Sequence, residues 1–436
     1  MSNQKQNGSI IAIITMMFLY AMIAFVTNLA APIGVVMKND PEVGGSNMLA
    51  MLGNFMNFLA YLFMGIPAGK MLTRIGYKKT AMLGILVGFV GVLIQFISGF
   101  ETFEGYTDNV IYLTGAFVSG LSVCMLNTVV NPMLNLLGGG GNRGNQLNLI
   151  GGTLNSLSGT LTPMLVGALI GQLTRETDFV QINLVLYIAM AVFAAAFFAL
   201  AFIPIKDPEI GKVTATTTFE HTPWSFRHCT LGVIAIFVYV GVEVGIPGTL
   251  NFYISDTSDK GAGLLENAAA IGGFVAGTYW LLMLVGRICS SFIASKVSSK
   301  MMMIVTSGAG MLFILLAIFI PKTVMTSMPL FTGSSFAMTE VPISAMLLVL
   351  CGLCTSVMWA SIFNLATEGL GKYTAQASGI FMMMVVGGGV LPLIQNFIAD
   401  SAGYMISYFV PLLAMGYMFW YALIGSKNVN TDISVD

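Results

Sequence analysis

"FVYVGVEVGIPGTLNFYISD", residues 237–256, decides how the rest of the chain is read. The twelve residues ahead of its first carboxylate, Leu231 to Val242, carry no charge, and apolar sequence resumes behind Glu243. A run of this length and polarity suits a bilayer, whose hydrocarbon core takes about 20 residues of helix. The glutamate inside it then needs an explanation.

The whole chain repeats that pattern. Hydrophobic residues make up 56% and charged residues 8% of the sequence, with mean hydropathy +0.86. A soluble domain carries about 25% charged residues, so this chain lacks the means to cover a water-facing surface. Apolar runs long enough to span recur at 10–36, 47–69, 80–100, 110–135, 146–170, 180–204, 228–253, 266–290, 301–320, 342–366, 377–399 and 403–425. The expected fold class is an all-α polytopic membrane protein of twelve transmembrane helices. The stretch 321–341 reads as a loop. The first run exceeds the roughly 7–15 apolar residues of a cleavable signal and no A-x-A site follows its core, so it reads as a retained helix.

Basic residues set the orientation. With the N-terminus inside, fourteen Lys or Arg fall on the cytoplasmic side and four (Lys38, Arg175, Lys260, Lys322) on the other. Both termini are expected in the cytoplasm. The break "IKDPEIGKVTATTTFEHTPWSFRH", 205–228, has six spans on each side. This divides the chain into an N-terminal half (1–204), a linker (205–227) and a C-terminal half with a short tail (228–436). The halves echo each other: "GIPAGKMLTRIGYKK" (65–79) and "LVGRICSSFIASKVSSK" (284–300) each place Gly and cations at a helix exit. Six plus six, with a site between the halves, is a transporter arrangement. Arg74, Lys78, Lys79 and Arg287, at those exits, are the expected gating residues. Gly387-Gly388-Gly389 should let a neighbouring backbone approach closely, and "GIPG" (245–248) is a cluster of helix breakers inside a span.

Several function classes are absent. The two histidines, His221 and His228, form no H-E-x-x-H site, and no Gly-Lys is followed by Ser or Thr as a phosphate loop requires. Polybasic segments suited to nucleic acid are missing. The five cysteines read as buried small hydrophobes, "CGLC" (351–354) included, because a redox pair needs an exposed, electropositive setting. The chain is expected to be neither an enzyme nor a metalloprotein, with no cofactor.

Of nineteen acidic residues only Glu243 lies deep in a span, roughly 20 Å of helix from either end. An ionised acid there costs about 2.5–3.5 kcal/mol. Neutral amides accompany it: Asn28, Asn54, Asn57, Asn127, Asn131, Asn155, Asn251, Asn364 and Gln395, with the aromatic residues Tyr239, Tyr279, Trp280 and Trp359. Singly, each Asn reads as interhelical glue. Together, many amides, some aromatic faces and almost no charge suit a neutral polyhydroxylated solute, whose hydroxyls take amide partners and whose apolar ring face takes an aromatic plane. Asn28, Asn127, Asn131, Asn155, Glu243, Asn251, Trp359 and Asn364 are the expected substrate residues. Arg287, read as lying at the cytoplasmic exit, leaves no cation for a sugar acid.

At "FLYAMIAFVTNLAAPIG" (18–34), "GLSVCMLNTVVNPMLNLLG" (120–138), "LNLIGGTLNSLSG" (147–159), "FVYVGVEVGIPG" (237–248) and "GIFMMMVVGGGVLP" (379–392), together with the two exit motifs, the sequence resembles the fucose:proton symporter family of the major facilitator superfamily. The resemblance covers nearly the whole chain. It implies the major facilitator fold in two six-helix halves, and import of monosaccharides by alternating access, coupled to protons or, in glucose/galactose members, to sodium. It also implies residence in the bacterial inner membrane, as a monomer. Two family carboxylates are missing: the segment-one motif reads Asn28-Leu29-Ala30-Ala31-Pro32, and Asn127 stands where segment four would carry a glutamate. Asn131 and Asn155 match positions where the family has Asn. Glu243 then has three open roles: coupling site for a proton or cation, acceptor for sugar hydroxyls, or structural partner for backbone freed near Pro247. An uncoupled facilitator, an exporter of drugs or metabolites, and a non-transporting sugar sensor are the competing functions.

Overall fold

In lipid every backbone polar group must find a partner within the protein, which leaves the helix as the form for apolar runs of this length. A computed structural model describes residues 2–39, 43–100, 106–137, 141–170, 179–203, 220–264, 266–293, 297–333, 335–370, 373–430 and 432–433. Most of the expected linker, residues 204–219, lies outside the described residues.

The N-terminal half holds α1 (Ser2–Asn39), the short α2 (Asn47–Ala50), α3 (Leu52–Ile75), α4 (Tyr77–Ile97), α5 (Tyr106–Leu137), α6 (Gly141–Ile170) and α7 (Phe179–Phe202). The C-terminal half holds α8 (Arg227–Ser255), α9 (Ala268–Ile293) and α10 (Ser299–Phe319), then three broken spans. These are α11 (Ile343–Thr355) with α12 (Met358–Thr367), α13 (Thr374–Met384) with α14 (Gly387–Ala402), and α15 (Tyr404–Ser407) with α16 (Phe409–Trp420). Among the described residues, eleven segments are long and apolar enough to cross a membrane. The twelfth expected span is α6, a 30-residue helix whose Asn, Ser and Thr content makes it less apolar than the others.

Two seams join the halves. α6 packs along α9 on one side, and α3 packs along α13 and α14 on the other. α4, α7, α10 and α16 lie outside these. They carry strongly exposed apolar side chains, such as Phe202, Phe319 and Leu413, where lipid is the expected neighbour. The triple glycine works as anticipated: a Cβ on Gly387 would run into the Phe237 carbonyl of α8, and one on Gly389 would meet the Phe55 backbone and the Phe58 side chain of α3. So α14 is wedged between a helix of its own half and one of the other.

Two expectations need correction. Residues 325–342, read as loop, form an antiparallel hairpin of β1 (Met325–Phe331) and β2 (Phe336–Pro342). Gly333, with φ of 95°, takes the left-handed backbone that the reversal requires. Of the cysteines, Cys124, Cys229, Cys351 and Cys354 are buried, but Cys289 is exposed.

Gly387→Ala is expected to push α8 from α14 and lower the melting temperature of the purified protein, an overpacking cost of about 1–3 kcal/mol. Alanine at Gly263, which has open space but φ of 86°, should cost less. Thermal unfolding of both variants in one detergent checks the order.

Candidate functional site

Glu243 sits on α8 at mid-membrane depth, and its partner comes from α9. Arg287 donates from Nη2 to Glu243 Oε1 at 3.2 Å, with the two side chains only 19% and 14% exposed. From Nη1 the same guanidinium donates to the Gly152 carbonyl (3.1 Å) and Ser156 Oγ (2.6 Å) of α6. One planar fork thus joins two helices of the C-terminal half to a helix of the N-terminal half, the geometry that makes Arg suited to buried pairing. The expectation that Arg287 sits at the cytoplasmic exit, clear of the site, is corrected. A long side chain six residues short of Ile293 reaches back into the seam because Glu243 needs a counter-charge. Gly152 contributes its carbonyl rather than space, since a Cβ there would meet the guanidinium at an ordinary 3.9 Å.

The neighbouring turns extend the polar cluster. The Tyr20 ring of α1 lies against Gly151. Its hydroxyl donates to Asn131 Oδ1 of α5, and its carbonyl accepts from Asn155 Nδ2 of α6 (3.2 Å). Ser158 Oγ donates to the next carbonyl, Ala21 (2.6 Å). One turn from Asn131, Asn127 Nδ2 donates to the Tyr61 hydroxyl at 2.7 Å. Asn28 lies over Gly159 beside Trp280, its amide donating to Ala24 O (2.9 Å). On the C-terminal side, Tyr239 is one turn from Glu243, and its ring is 6.2 Å from the half-buried Trp359. The buried Tyr239 hydroxyl lies beside the Glu243–Arg287 pair.

Of the expected substrate residues, Glu243 is tied to the seam through Arg287 and Asn28 lies near Gly159 and Trp280, whereas Asn127, Asn131 and Asn155 make their contacts within the N-terminal half and Trp359 within the C-terminal half. Asn251 is buried between α8 and α9, accepting from Ser255 Oγ (3.1 Å) and facing Gly272. Asn364 is exposed on α12, apart from these contacts. Among the gating candidates, Lys78 donates to the Ala201 and Ile203 carbonyls (3.2 and 2.8 Å), capping the end of α7 within its own half. Arg74 and Lys79 are exposed.

A further inter-half tie was not foreseen. It lies on the face opposite the N-terminus. Lys38 Nζ donates to Asp256 Oδ2 (3.1 Å) and the Tyr404 hydroxyl (2.6 Å). That hydroxyl also lies 2.9 Å from both Asp256 Oδ2 and Asn47 Oδ1. Asp400 accepts from Ser46 Oγ (2.6 Å) and from the Asn47 and Met48 amides (2.7 and 2.9 Å). Those amides open α2, so a carboxylate of one half caps a helix of the other, where the helix dipole favours it. In sequence these residues look like loop charges. The available signal was Lys38, a cation next to Asp40 and Glu42 in the sequence.

Burial works against the charge on Asp256, but the Lys38 ammonium and hydrogen bonds from Ser258 and Tyr404 outweigh it and hold the carboxyl at about 2.

The arrangement has known counterparts. Residues 13–393 match the Major Facilitator Superfamily. A "Glucose/galactose transporter" of Brucella abortus (strain 2308) is 30% identical over 435 residues, 98% of this chain and 96% of the relative. The "L-fucose-proton symporter" of Escherichia coli (strain K12) is 23% identical over 400 residues, 85% of this chain and 83% of that one. In fold, the crystal structure of the E. coli fucose:proton symporter FucP aligns with a TM-score of 0.67 at 18% identity, covering 97% of this chain and 100% of that one. The nucleoside transporter NupG aligns at 0.65 and 14%, covering 94% and 98%.

Two tests follow from the charges. Arg287→Met should destabilise the protein by about 3–5 kcal/mol by leaving Glu243 uncompensated. Adding Glu243→Gln should restore most of the loss, and unfolding of the single and double variants gives the coupling directly. For Asp256, a lowered native pKa means its contribution is complete above the unfolded value of about 3.9 and fades as pH falls through about 2. The stability gap between wild type and Asp256→Asn should stay level from pH 8 to 5 and narrow only below pH 4, as melting curves across that range will show. By sequence, fold and the order of its helices, the chain belongs to the major facilitator superfamily, in the family of the glucose/galactose transporters and L-fucose–proton symporters.

Proposed function

We propose that the protein imports a neutral sugar, a monosaccharide, by alternating access, driven by an inward flow of H+ or Na+. It acts as a monomer in a bacterial inner membrane with both termini in the cytoplasm. The observation that carries this reading is the Glu243–Arg287 pair of the C-terminal half, whose guanidinium also reaches across the seam to Gly152 and Ser156 of the N-terminal half. The relatives' names supply the solute class. The site's chemistry agrees with it: amides and hydroxyls of α1, α5 and α6 face an ion pair and two aromatic rings of the other half. The pair is neutral as a unit, so the presence of Arg287 leaves the preference for uncharged sugars intact.

In this orientation the Lys38–Asp256–Tyr404 and Asp400–α2 contacts close the periplasmic face. Access from outside requires them to part while the sugar-binding groups stay in place. Sugar hydroxyls that reach Tyr239 Oη, Glu243 and Ser156 would compete with the Arg287 fork. Binding at the centre then loosens the tie between α6 and α9, which is how solute occupancy is passed to the helices that move. A proton on Glu243, or a cation beside it, would release Arg287 from its partner and change the same tie.

A second reading rests on the same pair. An ion pair that never opens needs no coupling ion, and the protein would then be a facilitator. Uptake of labelled sugar into vesicles, with imposed proton or sodium gradients, separates the two. Accumulation above the external concentration that collapses with one gradient identifies the coupling ion. Equilibration alone, indifferent to both, establishes the facilitator.

Glu243→Gln should abolish accumulation while sparing counterflow exchange; unchanged concentrative uptake would remove Glu243 from the coupling route. Asn131→Ala and Asn155→Ala should raise the apparent sugar binding constant roughly fivefold to a hundredfold, the loss of one hydrogen bond worth about 1–3 kcal/mol. Tyr20→Phe, which removes only the Asn131 strut, should weaken binding less than Asn131→Ala; equal losses in calorimetry would reduce Asn131 to a support for Tyr20.

A further inference from the structure

Trp280 is half-buried on α9, and helical spacing shows which way it points. The lipid-facing stripe of α9 is marked by Val285, Ile288 and Phe292, which are 40%, 41% and 77% exposed. Gly277 faces α6, where a Cβ would run into Met164, and Gly272 faces α8, where one would run into Asn251 and Ser255. Trp280 lies about 140° around the helix from Val285 and only about 20° from Arg287. Its indole therefore points into the angle between α6 and α8, and its exposed part borders the interior of the protein, not lipid.

An amide of α1 meets it there. A Cβ on Gly159 of α6 would lie 3.1 Å from Asn28 Nδ2 and 3.7 Å from the Trp280 indole. The bare backbone of α6 thus lies beside a ring of one half and an amide of the other. Asn28 spends one N–H on its own helix, at the Ala24 carbonyl; its second N–H and its Oδ1 have no partner among the described residues. Trp359, the ring anticipated for the solute, instead leans on Tyr239 of its own half.

Along α1, Asn28 stands ten residues, about 15 Å, below Lys38; along α9, Trp280 stands seven residues, about 10 Å, above Arg287. The two occupy the level between the Lys38–Asp256 contact and the Glu243–Arg287 pair. A flat apolar ring opposed by an amide with a donor and an acceptor to spare suits a pyranose. The axial C–H groups of such a ring form a flat patch for the indole, and neighbouring hydroxyls at its edge take both functions of one amide. An open-chain alditol carries the same hydroxyls but no fixed C–H face.

We propose that Trp280 is the platform on which the sugar ring stacks, with Asn28 of the other half binding its hydroxyls, and that this face selects pyranoses over open-chain polyols. The proposal rests on the sugar-importer reading and deepens it by naming the form of sugar the site takes and the residue that selects it. Because ring and amide belong to different halves, a bound pyranose touches both at once.

Calorimetry on the purified protein would compare galactose with galactitol, glucose with glucitol and fucose with fucitol. Wild type should bind at least one pyranose several-fold more tightly than its alditol. Trp280→Leu should bind that sugar several-fold more weakly and lose most of the preference, Trp280→Tyr should keep it, and Asn28→Ala should weaken sugar and alditol alike. Equal wild-type binding of sugar and alditol, a comparison that needs no substitution, overturns the platform while leaving the sugar reading intact; so does an undiminished preference in Trp280→Leu. Binding of none of the six by wild type removes the sugar reading and the platform with it. With Trp224, Trp359 and Trp420 replaced by Phe, saturating sugar should shift the emission of Trp280; unchanged emission in a protein that binds the sugar overturns the stacking.

Discussion

A carboxylate at the centre of a bilayer must be paired, and the Glu243–Arg287 contact is where this structure meets that demand. The partner comes from the adjacent helix of the same half, but its remaining donors go across to Gly152 and Ser156. The solution to a local charge problem therefore also fastens the halves. Removing either charge disturbs electrostatics and inter-half packing together, and the pair is the natural place for a bound solute to influence which face is closed.

The contacts on the face opposite the N-terminus solve a different problem. There water is near, so single charges are tolerable, and the groups used are ones that can part and re-solvate: one ion pair, one tyrosine hydroxyl, and a carboxylate on a helix N-terminus. Asp256 keeps its charge across all ordinary pH values because Lys38 and its hydrogen bonds outweigh its burial. Closure at that face therefore answers to mechanics, not to protonation of Asp256. Glycine contacts set the frame in which such movement happens: α14 touches both α8 and α3 so closely that it can slide or tilt but has little freedom to separate from one alone.

The amides show how a compositional argument divides once contacts are known. Asn131 and Asn155 both hold Tyr20, one at the hydroxyl and one at the carbonyl, so each has a structural duty beside any contact with sugar. Asn127 likewise bonds Tyr61 within the N-terminal half, and Asn28 lies near Gly159 and Trp280. Asn251 has the same residue type, span and depth signal, yet it faces the wrong helix. A one-residue change of phase, about 100° around a helix, separates a cavity residue from a packing residue, and composition is blind to it.

The sequence by itself determined the membrane class, the helical fold built of many apolar spans, and the family. These rest on length, apolarity and charge, which are properties of consecutive residues and need no knowledge of neighbours. Only the tertiary structure decided that Arg287 reaches Glu243, that Asp400 caps α2, that Lys78 caps α7 within its own half, and that residues 325–342 fold back along α9 as a hairpin. Each of those joins residues far apart in the chain. The strength of such a contact depends on side-chain reach and helix phase across a seam, and neither is written in local pattern.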